Sequence, residues 1–227
     1  MWCDQLPADT SWTILWRGLI ICDRCSGIRR IDSICPVCRD PIPHFKEQVV
    51  HIENGSKARA PAIFMGAEGR FEDYVYLKMI EREWKRPILE KDQFLEITAA
   101  ERPSPRAAIV LLFWTYFETR IERLLRSGMR SVPSNLAEDT LRRYSFIGVR
   151  LDRLYRIIFE TTYSADLNEL GYTQISTHLA KIQRRRNDFS HGDPKAIDDA
   201  LVTSVVENLK IEHEAWIAVF NKRTARH

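Results

Sequence analysis

The chain reads as a mainly α-helical protein, a C-terminal helical bundle preceded by a small β-rich zinc ribbon. Three observations predict this. Two Cys-x-x-Cys pairs, Cys22 with Cys25 and Cys35 with Cys38, stand close together near the start. An amphipathic stretch at about 71–86 ends at Pro87. From residue 104 onward apolar side chains recur at helical spacing, and Ser-Pro, Gly and Asp-Pro mark the boundaries.

Composition bounds the rest. At 227 residues the chain exceeds a single domain of about 100–150 residues. A hydrophobic share of 44% is ample for a core. No apolar run reaches the ~20 residues that cross a bilayer, so no membrane partner is expected. Acidic Asp4 and Asp9 interrupt the start, which does not read as a secretory signal, and a cytoplasmic protein is expected. The net charge of +3 is too mild to imply nucleic-acid binding by itself. Its distribution says more: residues 104–227 carry 19 basic against 15 acidic side chains, and 15 of the 19 are arginine, the cation suited to forked contacts with carboxylate or phosphate.

Residues 1–52 form the expected zinc unit. Two knuckles at this range can wrap four thiolates tetrahedrally around one zinc ion, with Cys22, Cys25, Cys35 and Cys38 as ligands and the metal in a structural role. Two disulfides or a redox dithiol are the alternatives, and neither needs the paired arrangement. Gly27 and the segment Ile28 to Ile31 suit a hairpin between the knuckles, and Phe45 to Ile52 reads as a following strand. Cys3 is left over as a buried or free thiol. Trp2, Trp12 and Trp16 form an aromatic lead that packs on this unit. Residues 53–103 read as a linker containing the amphipathic helix, whose apolar residues include Tyr74, Leu77 and Trp84.

Residues 104–227 form the bundle. Ser104 caps and Pro105 opens a helix running from Arg106 to Ser127, with Gly128 as its stop. Because most of it is apolar, it should be central. Glu118 is the exception, seven residues from both Leu111 and Leu125. On the buried side it would want a cation, Arg186 being the candidate; in solvent it would lie among Arg120 and Arg123. A second helix spans Ser134 to Glu160 with a break near Gly148. The last, Lys195 to Asn221, is capped by Asp193 and opened by Pro194.

Between them lies Arg186-Asn187-Asp188-Phe189-Ser190-His191. Reading Ile175, Leu179, Ile182, position 186 and Phe189 gives steps of four, three, four and three, so Arg186 falls in a slot of the core-facing stripe. A guanidinium cannot shed its charge, so there it needs acidic or phosphate partners or an open cleft. His191-Gly192 ends the helix at a corner. The spacing alone is unspecific, since Arg39 and His44 repeat it inside a proline-rich segment, and a solvated basic helix end with Lys181, Arg184 and Arg185 is the plain alternative.

A long apolar helix with an internal acid, then a helix ending Arg-Asn-x-x-x-His-Gly, then a capped final helix resembles the HEPN superfamily over residues 104–222. In that family an Arg-x4-6-His motif marks metal-independent endoribonucleases, many of them toxins or antiviral defence effectors, whose groove forms where two protomers meet. The resemblance implies a homodimer, an RNA substrate, Arg186 and His191 as the catalytic pair, Asn187 as the polar residue after the arginine, and Glu118 as the acid of the first helix. A family subgroup has a tyrosine two residues after the histidine; here that position is Asp193, so its regulation by modification is not carried over. The zinc ribbon lies outside the shared core. RNA cleavage needs the 2′-hydroxyl deprotonated, the leaving 5′-oxygen protonated and the phosphorane charge stabilised. Imidazole and guanidinium are equipped for these tasks without a catalytic metal. The alternative is a non-catalytic HEPN-like binding or dimerisation module whose zinc ribbon recruits a protein or nucleic-acid partner.

Overall fold

The computed structural model describes residues 71–224, with side chains from residue 75, and ahead of them four short strands and residue 39. Strand β1 (Leu19–Ile21) pairs antiparallel with β2 (Ile28–Arg30), and β3 (Glu47–His51) with β4 (Lys57–Pro61). β2 falls on the segment expected to form a hairpin between the knuckles, but its partner β1 precedes Cys22 in the sequence, so the pairing spans the first knuckle instead; β3 lies within the expected strand. The four paired cysteines and Cys3 lie outside the described residues, as does the aromatic lead.

The rest is helical. Helix α1 (Phe71–Lys85) ends one residue before its predicted bound, ahead of Pro87. α2 (Ala108–Gly128) starts two residues later than predicted, because Ser104 closes a turn instead of capping the helix. The Ser104 hydroxyl accepts Arg106 N–H at 3.1 Å and donates to Asp199 Oδ1 at 2.5 Å. α2 is central, touching α1, α4, α6 and α7. Its buried side chains include Ile109, Phe113, Trp114, Phe117, Ile121 and Leu125, the apolar run that predicted its place.

The expected long second helix is two. α3 (Ser134–Arg143) stops at Tyr144, earlier than the anticipated break at Gly148. Ile147–Val149, the π-helical Arg150–Leu154 and Tyr155–Phe159 then run on as one rod, α4. Arg150 staples the corner, donating to Tyr144 O at 2.7 Å, Leu141 O at 3.2 Å and Glu122 Oε2 at 3.1 Å. α5 (Tyr163–Glu169) was not anticipated, although Thr162 caps it by accepting Ala165 N–H at 3.2 Å. α6 (Thr173–Ser190) carries the candidate motif, and α7 (Asp199–Thr224) closes the bundle. Asp193 and Pro194 open only a 3-10 turn, Pro194–Ala196. The cap of α7 is Asp198, whose Oδ1 accepts Leu201 N–H at 2.8 Å.

Two polar clusters tie the helices together. Arg120 is 1% exposed, donates to Glu212 Oε2 at 2.8 Å and lies between the rings of Tyr116 (4.7 Å) and Trp216 (4.3 Å). A guanidinium buried in this way is matched by an acid and by two ring faces that favour cations. At the C-terminal end of α7, fully buried Asp166 accepts from Tyr155 OH at 2.5 Å and Arg223 Nε at 2.6 Å, with Lys222 Nζ at 2.9 Å.

Candidate active site

The helix phase of α6 decides what its charged residues can do. Ile175, Leu179 and Ile182 are buried, as their spacing predicts. The stripe then runs past the edge of the core: Arg186 and Phe189 are only half-buried. Position 186 is therefore at the margin of the core, which corrects the expectation of a buried slot.

Three consecutive arginines leave a helix about 100° apart, and they meet three different surroundings. Arg184 faces solvent and has no carboxylate within ion-pair distance among the described residues. Arg185 turns toward the corner, donating to Asp198 Oδ2 at 2.6 Å and reaching Lys195 O at 3.5 Å. It clips the end of α6 to the start of α7 and fixes the corner between them. Arg186 donates from Nη1 to Asn187 Oδ1 at 3.2 Å, an uncharged partner, and no acid among the described residues lies within ion-pair distance of it.

His191 is the C-terminal cap of α6 and is exposed. Its backbone N–H donates to Asn187 O at 3.0 Å and Asp188 O at 3.1 Å. Gly192 follows with φ +100°, a conformation that side chains resist, and Asp193 N–H returns to Asp188 O at 3.1 Å. The imidazole thus stands on a short, hydrogen-bonded turn. From Arg186 to His191 the helix advances about 140°, so the two side chains leave α6 on different sides. Arg184, seven residues before His191, lies within about 20° of it.

Glu118 is not the partner of Arg186: no ion pair joins them. It is half-buried on α2 and opens into a cleft of about 280 Å³ with Thr115, Thr119, Glu122, Arg123, Arg126 and, from α4, Arg150. Phe117, its neighbour, takes the buried direction instead. The alternative, Glu118 in solvent among Arg120 and Arg123, holds only in part: Arg123 and Arg126 line this cleft, but Arg123 is buried and Arg120 turns inward to Glu212. The structure therefore joins Arg186 to Asn187, places His191 on the same helix end but on another side, and sets Glu118 apart.

Sequence reasoning passed over Arg120 and Glu212. The signal was present: Arg120 is in line with Phe113, Tyr116 and Leu124, and Glu212 with Leu209, Val205 and Trp216. His178 was also missed. It faces α7, its Nδ1 3.4 Å from Ser204 Oγ, and burial, with Lys181 nearby, pushes its pKa down to about 4. A histidine so held is neutral near pH 7 and belongs to the packing between helices.

Among the described residues, no group of three or more His, Cys, Asp or Glu side chains is arranged to hold a metal, and no helix is long and apolar enough to cross a membrane. Comparisons of the chain with protein-family models, curated proteins and solved structures give no match.

Proposed function

We propose that this protein is a metal-independent endoribonuclease of the HEPN type, acting at the corner between α6 and α7. The observation that carries the reading is the exposed His191 on a fixed helix end, five residues after an arginine whose charge no carboxylate among the described residues neutralises. An imidazole at such a place can take the proton of a ribose 2′-hydroxyl or return one to the leaving 5′-oxygen. An arginine with unspent charge can donate to nonbridging oxygens as the phosphorane forms. Asn187 holds that guanidinium by its Oδ1 and sets its direction.

The 140° between Arg186 and His191 bears on how the site is assembled. A groove shared by two copies brings Arg186 of one protomer toward His191 of the other, so the reading includes a homodimer. The same divergence favours a second reading: a bundle that binds RNA or a protein partner without turning it over. Cys22, Cys25, Cys35 and Cys38 complete the proposal as ligands of one structural zinc.

The test is cleavage of RNA by the full chain without added divalent metal, with and without EDTA, beside His191→Ala and Arg186→Ala. Loss of about 100-fold or more in rate with either variant is expected, on the scale of removing one acid-base or oxyanion group. Equal cleavage by all three proteins refutes the assignment. Growth arrest on expression that His191→Ala relieves separates the enzyme from the binding module.

A further inference from the structure

We infer that a single RNA strand lies along the solvent face of α6, held by Lys181 and Arg184, so that its phosphodiester reaches His191 of the same protomer. This rests on the ribonuclease reading and adds a substrate track and a positioning residue, Arg184, to it.

The track follows from register. Lys181, Arg184, Asp188 and His191 recur at steps of three, four and three, the spacing of one helix face, and all four are exposed. Lys181 and Arg184 have no ion-pair partner among the described residues; exposed Arg142, Arg153 and Arg156 share this, but Lys181 and Arg184 are on the face of α6 from which His191 leaves. At 1.5 Å per residue, Lys181 lies ~4.5 Å along the axis from Arg184 and ~15 Å from His191. That length matches a short run of nucleotides laid along the helix.

The partner is a polyanion by charge and a single strand by shape. One row of cations on one helix face follows one backbone, whereas a duplex presents two. In-line attack by a 2′-hydroxyl also needs a strand free to leave A-form geometry. Arg184 is the arginine on the side of His191; Arg186, turned away, is free to serve the groove of a second copy. Asp188 interrupts the row between Arg184 and His191. Its charge repels the backbone, which gives the test an opposite sign.

Binding of a fluorescent single-stranded RNA is measured on the full-length His191→Ala protein across a range of salt. Each lost phosphate contact lowers the slope of log K against log salt by about 0.7 for a single strand. Lys181→Ala and Arg184→Ala should each show that decrement, and Asp188→Asn should tighten binding. In the cleaving protein, Arg184→Ala should raise KM several-fold with kcat within about twofold, because uniform binding is lost. Equal binding of single-stranded DNA of the same sequence, uncleaved, supports contacts to phosphates. Thermal melting controls for folding. If wild type cleaves, His191→Ala does not, and Arg184→Ala changes neither slope nor KM, the track is wrong and the ribonuclease stands. If wild type neither binds nor cleaves RNA, both fall.

Discussion

Asp166 offers the sharpest test of how this bundle is held together. Its carboxylate is fully buried and joins three helices: Tyr155 from α4, its own α5, and Lys222 with Arg223 from α7. Asp166→Ala leaves the Tyr155 hydroxyl without its acceptor and two cations without their shared anion. Removing one partner of a buried ion pair costs ~3–5 kcal/mol. Here Lys222 and Arg223 retain 22% side-chain exposure, so the freed cations reach water and the electrostatic part falls toward the lower figure. The stranded phenol adds a cost of its own, ~1–3 kcal/mol for a buried polar group left unsatisfied. Together these give an expected loss of about 4–6 kcal/mol. At ~2–4 °C per kcal/mol for a protein of this size, Tm should fall by about 8–24 °C. Urea unfolding gives the free energy directly, and a double-mutant cycle with Tyr155→Phe isolates the hydroxyl bond. The carboxyl is pushed up by burial, but bonds from Arg223, Tyr155 and Lys222 outweigh this and leave it below its ordinary value of 3.8. Between those two values the unfolded chain binds more protons than the folded one. The stability from this group is therefore present above about pH 4 and is lost as pH falls through the folded value. Asp166→Asn should flatten that acid limb. A loss under 1 kcal/mol in Asp166→Ala, with an unchanged acid limb, would mean the clamp behaves as a surface ion pair and the argument fails.

Other expectations are separable from this one. His178, pushed down from 6.5 to about 4, stays neutral in the fold while the unfolded chain takes up a proton, so stability should decline as pH drops across that window. His178→Asn should remove this slope, and an unaltered slope assigns it elsewhere. Gly128→Ala places a methyl group 2.4 Å from Phe159 Cζ and 2.6 Å from Ile158 Cγ2, so these side chains, or α4 that carries them, must shift. A loss of about 1–3 kcal/mol in chemical denaturation is expected, and a neutral result denies the close approach. Metal analysis should find about one zinc per chain, lost with Cys35→Ser and kept with Cys3→Ser; the reverse pattern overturns the ligand set.

Much of the bundle was legible because burial is periodic. The apolar residues of α2 point to its central place, and Ile175, Leu179 and Ile182 give the inward face of α6. Boundaries were less legible where a polar side chain had two possible employments. Ser104 could cap a helix or close a turn, and its bond to Asp199 of α7 decides for the turn. Asp193 and Asp198 both precede a helical stretch, and only tertiary packing gives the long helix to Asp198. The corner at Tyr144 depends on Arg150 reaching back to backbone carbonyls, which no local pattern encodes.

The candidate site shows why a charged residue in an apolar register is an incomplete signal. Periodicity gives the direction of a side chain but not whether the core extends that far along the helix. Arg120 and Arg186 both occupy such a register. Arg120 sits in the middle of α2, where α7 supplies Glu212 and Trp216 opposite it, so its charge is consumed by the fold. Arg186 sits within the last turns of α6, beyond Ile182, at the margin of the core, where its bonded partner is its neighbour Asn187. Mid-helix arginines of this kind are structural, whereas those beyond the core edge keep charge to offer a ligand. Arg184, Arg185 and Arg186, equal in the sequence, are separated by 100° steps into one facing solvent, one bound to Asp198 and one held by an amide. The side of α6 on which His191 emerges is the side of Arg184, and a substrate reaching that imidazole along the helix meets Arg184 before it meets Arg186.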